Sequence, residues 1–178
     1  HKVVDPQTGA TLPPDTSGEI CVRGYNVAQG LYKLERERVF DAEGFYRTGD
    51  GGRFTASGHL FFEGRLGDMI KTAGANVTPR DVELALETLD GVKSAFVVGV
   101  PHPDRGENVA AAVVLDPGAH AEPESLRAAL KKELSAYKVP RHWWIARSAD
   151  LPMTDSGKID KKRLRAAFEA RLAAGEID

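Results

Sequence analysis

The stretch GRLGDMIKTAGANVTPRDVE, residues 64–83, decides how the rest of the chain is interpreted, because its character changes several times within a short distance. It begins as a glycine-containing turn, passes through a short β-like pair and reaches a second glycine turn at residues 73–76. It ends on Thr78 and Pro79, which are typical of a helix start, because threonine accepts hydrogen bonds from the free helix amides and proline fits the first helical position. The stretch therefore predicts a boundary between two domains.

The part before this boundary, residues 1–65, is predicted to be mostly β. It contains short β-like runs separated by turn residues and has no convincing helical period. Residues 51–65 indicate a hairpin around a turn at Gly58, where glycine can adopt the positive φ that the turn needs. Because a few short strands bury little surface, we expect this part to pack against a larger domain outside the chain.

The part after the boundary, residues 66–178, alternates between helical and β-like periods. Helices are predicted around Leu86, Leu130 and Phe168, and strands at residues 92–100, 109–115 and 142–146. The predicted fold class is therefore α+β, with a small α/β domain whose short sheet is flanked by helices and which follows the mostly β segment. Trp143 and Trp144 alternate along the last strand, so we expect one in the core and the other exposed.

Composition excludes several classes of function. The 178 residues carry 24 Lys and Arg against 26 Asp and Glu, a net charge of −2, and this balance gives no support for a nucleic-acid partner. No stretch approaches the roughly 20 apolar residues of a membrane span. The single cysteine, Cys21, cannot form an internal disulfide, and we expect it to be a small buried or half-buried side chain. These features together favour a cytoplasmic protein.

Three motifs carry residues suited to chemistry. In YRTGD, residues 46–50, Asp50 follows a glycine turn, and its two carboxylate oxygens match the vicinal hydroxyls of a ribose; a plain turn residue is the alternative. In PMTDSGKID, residues 152–160, a small polar loop presents Lys158, which could stabilise transient negative charge or simply be a solvated surface lysine. The glycines of the opening stretch could serve either a hinge or a structural linker.

Taken in order, these motifs resemble the late signature motifs of the adenylate-forming superfamily, which contains acyl- and aryl-CoA synthetases, nonribosomal adenylation domains and luciferases. Further matching pieces are GEICVRG at 18–24, VPHPD at 100–104 and YKVP at 137–140. Amino-acid-activating members typically carry a basic residue where Ala75 or Asn76 stands, so the chain looks more like an acyl-CoA synthetase. The resemblance implies residues 1–65 as the end of a large N-terminal domain and residues 66–178 as the mobile C-terminal domain.

The resemblance also implies a two-step reaction for the intact parent. A carboxylic acid, expected to be fatty or otherwise hydrophobic, reacts with ATP and Mg²⁺ to give an acyl-adenylate and pyrophosphate. CoA then displaces AMP to give a thioester. The alternatives are an acyl-AMP ligase or adenylation domain serving a carrier protein, and a non-catalytic binding module. Because the family's phosphate loop, acyl pocket and adenine contacts lie upstream of His1, we expect these residues alone to be inactive.

Residue roles follow from the motifs by the same resemblance. Lys158 would be the catalytic lysine of adenylation, Asp50 would hold the ribose hydroxyls, and Arg65 would lie near the ribose and phosphates. Gly74 would present its loop to the thiol. Lys138 would meet a CoA phosphate, unless it merely closes a helix. No residue of the chain is expected to bind a metal.

The hinge between the two half-reactions would be formed by Leu66, Gly67 and Asp68. The family usually carries Asp or Lys as the pivot where Gly67 stands here. Glycine rotates freely, so a hinge is still expected, but a side-chain latch at this position is not available.

Overall fold

The computed structural model describes residues 1–177 and divides the chain into two compact units, His1–Gly67 and Asp68–Asp178. The division falls just after Gly67, whereas the sequence pattern placed the boundary just after Arg65. The assignment of these units to the end of a large N-terminal domain and to a mobile C-terminal domain stays a prediction.

The first unit is built on a four-stranded antiparallel sheet in the order β1-β2-β3-β4. Its strands are β1 (Lys2–Val4), β2 (Gly18–Val22), β3 (Tyr46–Phe54) and β4 (Leu60–Arg65). The predicted hairpin is confirmed, since β3 pairs with β4 and Gly58 in the turn between them has a φ of 84°. Within residues 1–65 the only helical segment is a short 3₁₀ turn at Arg36–Arg38, as expected from the absence of a helical period.

The second unit has a five-stranded sheet and three α-helices, which confirms the predicted α+β class. The strands are β5 (Ile70–Thr72), β6 (Ala75–Val77), β7 (Val92–His102), β8 (Gly106–Leu115) and β9 (His142–Ile145). The helices are α1 (Pro79–Glu87), α2 (Pro123–Glu133) and α3 (Lys161–Ala174). The long strands β7 and β8 form an antiparallel hairpin, and β9 runs parallel to β8. The short strand β5 pairs with β8 at a single point, Thr72 opposite Gly106.

The β7–β8 hairpin buries a separate core on each of its faces. Because side chains alternate along a strand, Ala111 and Val113 lie in one core, whereas Ala110 and Ala112 lie in the other. Helices α1 and α2 close the first core with Val82, Leu86, Leu126 and Leu130. Helix α3 closes the second with Leu164 and Phe168.

The two tryptophans of β9 lie on opposite sides of the sheet, but the expectation that one of them is exposed is wrong. Trp143 is buried in the first core. Trp144 is half-buried and packs edge to face on Phe168, with ring centroids 6.0 Å apart. The Arg171 guanidinium lies 4.0 Å from the Trp144 ring. Trp144 is covered because α3 crosses this face of the sheet.

Helix α1 begins at Pro79 after Thr78, as predicted, but the predicted side-chain cap is wrong. Thr78 makes no capping hydrogen bond with its side chain. Its hydroxyl donates instead to the Met69 sulfur at 3.6 Å. The first turn is held by the main chain, since the Asp81 amide donates to the Thr78 carbonyl at 3.2 Å.

Candidate functional site

The YRTGD motif lies inside strand β3, so the prediction that Asp50 follows a simple turn is wrong. The pairing of β2 with β3 changes register between Glu19 and Cys21, which places an irregularity opposite residues 48–50. Gly49 has a φ of 74°, a conformation that glycine adopts without steric cost. Such bulges re-aim side chains at functional edges of sheets.

The bulge is held by the carboxylate of Glu19, which is only 6% exposed. One of its oxygens accepts the Gly49 amide at 3.0 Å. The other accepts from the guanidinium of Arg47, with Nε at 2.8 Å. A buried carboxylate therefore satisfies the backbone at the point where ladder pairing is interrupted.

Asp50 and Arg65 are brought together at this bulge. They are cross-strand partners, and Arg65 Nε lies 3.0 Å from Asp50 Oδ1. Arg65 also donates from Nη1 to the Thr48 carbonyl at 2.9 Å, while the Asp50 amide donates to the Thr48 hydroxyl at 3.0 Å. The carboxylate of Asp50 is thus fixed in direction and remains 27% exposed, which suits recognition of a diol.

Cys21, next to this site on β2, is the buried side chain that the sequence predicted, with 1% exposure. Burial raises the pKa of its thiol, and the negative charge of Glu19 adds to the increase. A thiol that stays protonated is a weak nucleophile. We therefore assign Cys21 to packing.

Lys158 lies on a tight turn of the second unit, within the small polar loop that the sequence predicted. Met153 and Ile159 form a β-bridge across it. The Thr154 amide donates to the Lys158 carbonyl at 2.7 Å, and Gly157 has a φ of 77°. The Lys158 side chain is exposed and, within residues 1–177, has no ion-pair or hydrogen-bond partner. A fixed backbone therefore presents an uncommitted positive charge.

Gly74 occupies the tip of the β5–β6 hairpin. The two-residue turn has positive φ at both positions, 49° at Ala73 and 80° at Gly74, as a type I′ turn requires. A Cβ placed on Gly74 would meet no atom within 4 Å. The Ala73 amide donates to the Arg105 carbonyl at 2.8 Å, so the turn is held at Ala73, while the space beside Gly74 is open.

Lys138 is not free in this structure. Its Nζ lies 2.9 Å from Asp81 Oδ2 in the first turn of α1. Helix α2 ends at Glu133, so the alternative that Lys138 closes that helix is wrong. The ion pair instead ties the YKVP segment to the helix that follows the Gly74 hairpin.

The proposed hinge residues form a short 3₁₀ turn, Leu66–Asp68. A Cβ on Gly67 would meet no atom within 4 Å, and its φ lies outside the left-handed region, so this conformation does not require glycine. Asp68 Oδ2 lies 3.9 Å from Lys161 Nζ. Lys161 also donates to the buried Glu83 at 3.1 Å, which links Asp68 to α1 and α3.

Comparison with known proteins identifies the family. The sequence model of the AMP-binding enzyme C-terminal domain matches residues 81–158. The chain is 38% identical over 173 residues to a 4-coumarate–CoA ligase-like protein of Oryza sativa subsp. japonica. It is 40% identical over 157 residues to a salicylyl-CoA synthase / salicylate adenylyltransferase of a Streptomyces species. Residues 81–158 therefore match the C-terminal domain of AMP-binding enzymes, and the chain as a whole is similar to CoA ligases of the adenylate-forming superfamily.

Solved structures of related enzymes contain the same fold. ATP-bound MatB from Rhodopseudomonas palustris superposes with a TM-score of 0.85 at 35% identity, over 94% of this chain and 33% of that one. The amide bond synthetase McbA from Marinactinospora thermotolerans gives 0.84 at 41% identity, over 94% and 34%. The sequence matches cover 96% and 86% of this chain but 31% and 28% of the relatives. The chain therefore spans about a third of the proteins it resembles.

The resemblance implies Mg²⁺ as a cofactor of the intact parent. Within residues 1–177, no group of three or more His, Cys, Asp or Glu side chains is placed to hold a metal ion. A search of the same residues finds no helix long and apolar enough to cross a membrane.

The sequence did not reveal three acidic residues that organise these sites. Glu19, Glu83 and Glu107 each accept a backbone amide, from Gly49, Val97 and Lys71 respectively. The sequence pattern could have indicated two of them, because Glu19 precedes an apolar strand run and Glu83 adjoins the apolar stripe of α1. The residues whose amides they accept are distant in sequence, so local pattern could not predict these hydrogen bonds.

Substitution of Glu19 tests the bulge. In Glu19→Gln, one acceptor oxygen becomes an NH₂ group that faces either Gly49 N–H or the Arg47 guanidinium, so the chain should lose about 1–3 kcal/mol of unfolding free energy. Urea unfolding measures this loss. Glu43→Gln is the matched control, because Glu43 forms only an exposed ion pair with Lys2, and its effect should be small. Equal effects of the two changes would contradict the organising role of Glu19.

Proposed function

We propose that the intact protein carrying this chain is an AMP-forming ligase that joins a carboxylic acid to the thiol of CoA through an acyl-adenylate. The observation that carries this proposal is Lys158, an exposed and unpaired lysine on a hydrogen-bonded turn, which is also the last residue of the family match. Names of relatives support it, among them medium-chain acyl-CoA, sulfoacetate–CoA and oxalate–CoA ligases.

In the first half-reaction, a carboxylate oxygen of the acid attacks the α-phosphorus of ATP, and the bond to the bridging oxygen of pyrophosphate breaks. Negative charge builds on the phosphoryl oxygens as this occurs. The ammonium of Lys158 would stabilise that charge as a point charge. Asp50 would accept hydrogen bonds from the ribose hydroxyls, and Arg65, held against Asp50, would offer its remaining N–H groups to phosphate oxygens.

In the second half-reaction, the CoA sulfur attacks the acyl carbon, the bond to the AMP oxygen breaks, and the thiol proton leaves to solvent. The open tip at Gly74 would lie along the path of the thiol. Lys138, beside Asp81 at 2.9 Å, would have to exchange that partner for a CoA phosphate. The second unit would turn about Leu66–Asp68 between the two steps, so that Lys158 and Gly74 serve in succession.

The proposal also specifies the class of carboxylic acid and the molecule that accepts the acyl group. We favour a fatty or other hydrophobic acid, in line with the relatives named for 4-coumarate, salicylate and medium-chain acyl groups. CoA is favoured as acceptor by the many CoA ligases among the relatives. An amine acceptor is the second candidate, because the amide bond synthetase is 41% identical to this chain.

The proposal is tested with the intact protein, ATP and a panel of acids. Acid-dependent ATP–pyrophosphate exchange should be fastest with hydrophobic acids. Release of AMP in the second step should depend on CoA. AMP release that requires a carrier protein or an amine instead would contradict the CoA ligase. Residues 1–178 alone should give no exchange, since the resemblance places the phosphate loop and acyl pocket upstream.

Substitution of Lys158 should separate the half-reactions. In the intact protein, Lys158→Ala should slow ATP–pyrophosphate exchange by about 100-fold or more, because it removes one charge that stabilises the transition state. Thioester formation from a supplied acyl-adenylate should change far less. Lys162→Ala, at another exposed lysine nearby, is the control and should behave as wild type. Equal loss in both assays would remove Lys158 from the adenylation step.

Substitutions of Gly67 test the hinge. Gly67→Ala has open space and should leave both half-reactions near wild type. Gly67→Pro fixes its own φ and disfavours the helical conformation of Leu66, so it should restrict rotation. Thioester formation should then fall more than pyrophosphate exchange. Equal loss of both, with a lowered melting temperature, would indicate misfolding and contradict a switching role.

A further inference from the structure

The β5–β6 hairpin that carries Gly74 has little sheet pairing of its own. Each strand has only three residues, and β5 meets β8 at the single pair Thr72 and Gly106. A two-stranded hairpin of this size is marginal in water. Its position must therefore depend on other contacts.

Glu107 supplies such a contact from the start of β8. Its Oε2 accepts the Lys71 backbone amide at 2.9 Å, where a neighbouring strand would otherwise provide the acceptor. Its Oε1 accepts from Arg165 Nη1 at 2.7 Å. The Glu107 side chain is 19% exposed, so both charge-assisted bonds are partly shielded from water.

Arg165 connects the Glu107 carboxylate to the helix that follows the Lys158 turn. It lies in the second turn of α3, the helix that follows the Lys158 turn and begins at Lys161. The helix start is fixed, since Asp160 accepts the Arg163 amide at 3.0 Å. Glu107 therefore bonds to the strand that leads to Gly74 and to the helix that leads away from Lys158.

The opposite strand leaves room for this carboxylate. A Cβ placed on Gly99 of β7 would lie 2.8 Å from the Glu107 Cδ and 2.9 Å from both of its oxygens. The φ of Gly99 is not in the left-handed region, so backbone conformation does not require glycine there. Space for the Glu107 carboxylate is the constraint that the structure does show at this position.

We propose that Glu107 is a positioning residue that sets the Gly74 hairpin against α3, and so controls the thiol half-reaction. The predicted effect on catalysis rests on the proposed function. The anchoring of residues 70–77 by Glu107 does not depend on the activity of the protein. Arg165 acts with Glu107 through the 2.7 Å ion pair, whereas Glu169, the other partner of Arg165, touches neither loop in these contacts.

Hydrogen exchange in the intact protein tests the anchoring directly. Glu107→Ala should speed amide exchange of a peptide covering residues 70–77 by about tenfold or more, because a charge-assisted backbone hydrogen bond is lost. Glu169→Gln, which removes only the exposed partner of Arg165, should leave that exchange unchanged. Unchanged exchange in Glu107→Ala would overturn the proposal, whether or not the protein is a ligase.

The half-reactions test the catalytic consequence. Glu107→Gln keeps an acceptor for Lys71 but loses the ion pair, and it should lower CoA-dependent AMP release by about tenfold to 100-fold while ATP–pyrophosphate exchange changes by less than about threefold. Gly99→Ala should give the same split at little cost in melting temperature, since it displaces only the end of the Glu107 side chain. Equal loss in both half-reactions would overturn the proposal. A wild-type protein with no CoA-dependent AMP release would refute the proposed function alone.

Discussion

The pairing of β7 with β8 is the constraint on which the second unit depends. The ladder runs from Val92 opposite Leu115 to His102 opposite Gly106. Both faces are buried, so a slip of one residue would exchange the contents of the two cores and is excluded. The turn at the end of this hairpin therefore has a fixed position, and residues 105–107 at that turn hold the Gly74 hairpin.

Charged residues in this chain divide into two kinds. The buried or shielded carboxylates Glu19, Glu83 and Glu107 accept backbone amides where strand pairing is interrupted or missing. The exposed side chain of Lys158 has no partner within residues 1–177, and the Arg65 side chain is 61% exposed beside Asp50. The first kind fixes loops, because an unpaired buried amide is costly. The second kind remains available to a ligand that carries negative charge.

Local pattern predicted most of the fold and the order of the motifs. The valine-rich apolar runs of β7 and β8 and the apolar spacing of the three helices predicted strands and helices at the right places. The pattern showed that Trp143 and Trp144 face opposite sides, but it could not show that α3 covers Trp144. Threonine is a common N-cap residue, so the pattern predicted a side-chain cap at Thr78. The Thr78 hydroxyl donates to the Met69 sulfur instead. The contact of Glu107 with Arg165 joins residues far apart in sequence, so no local pattern contains it.

If the Lys158 and Gly74 loops of one small unit serve different half-reactions, a chase experiment on a Gly74 variant should separate the two steps. Gly74 has a φ of 80°, which a β-branched residue strongly resists, so Gly74→Val should distort the loop tip alone. The intact variant would be loaded with acid and ATP, and its acyl-adenylate followed after addition of CoA. We expect normal formation of the adenylate and slow discharge to the thiol. Formation slowed as much as discharge would contradict it.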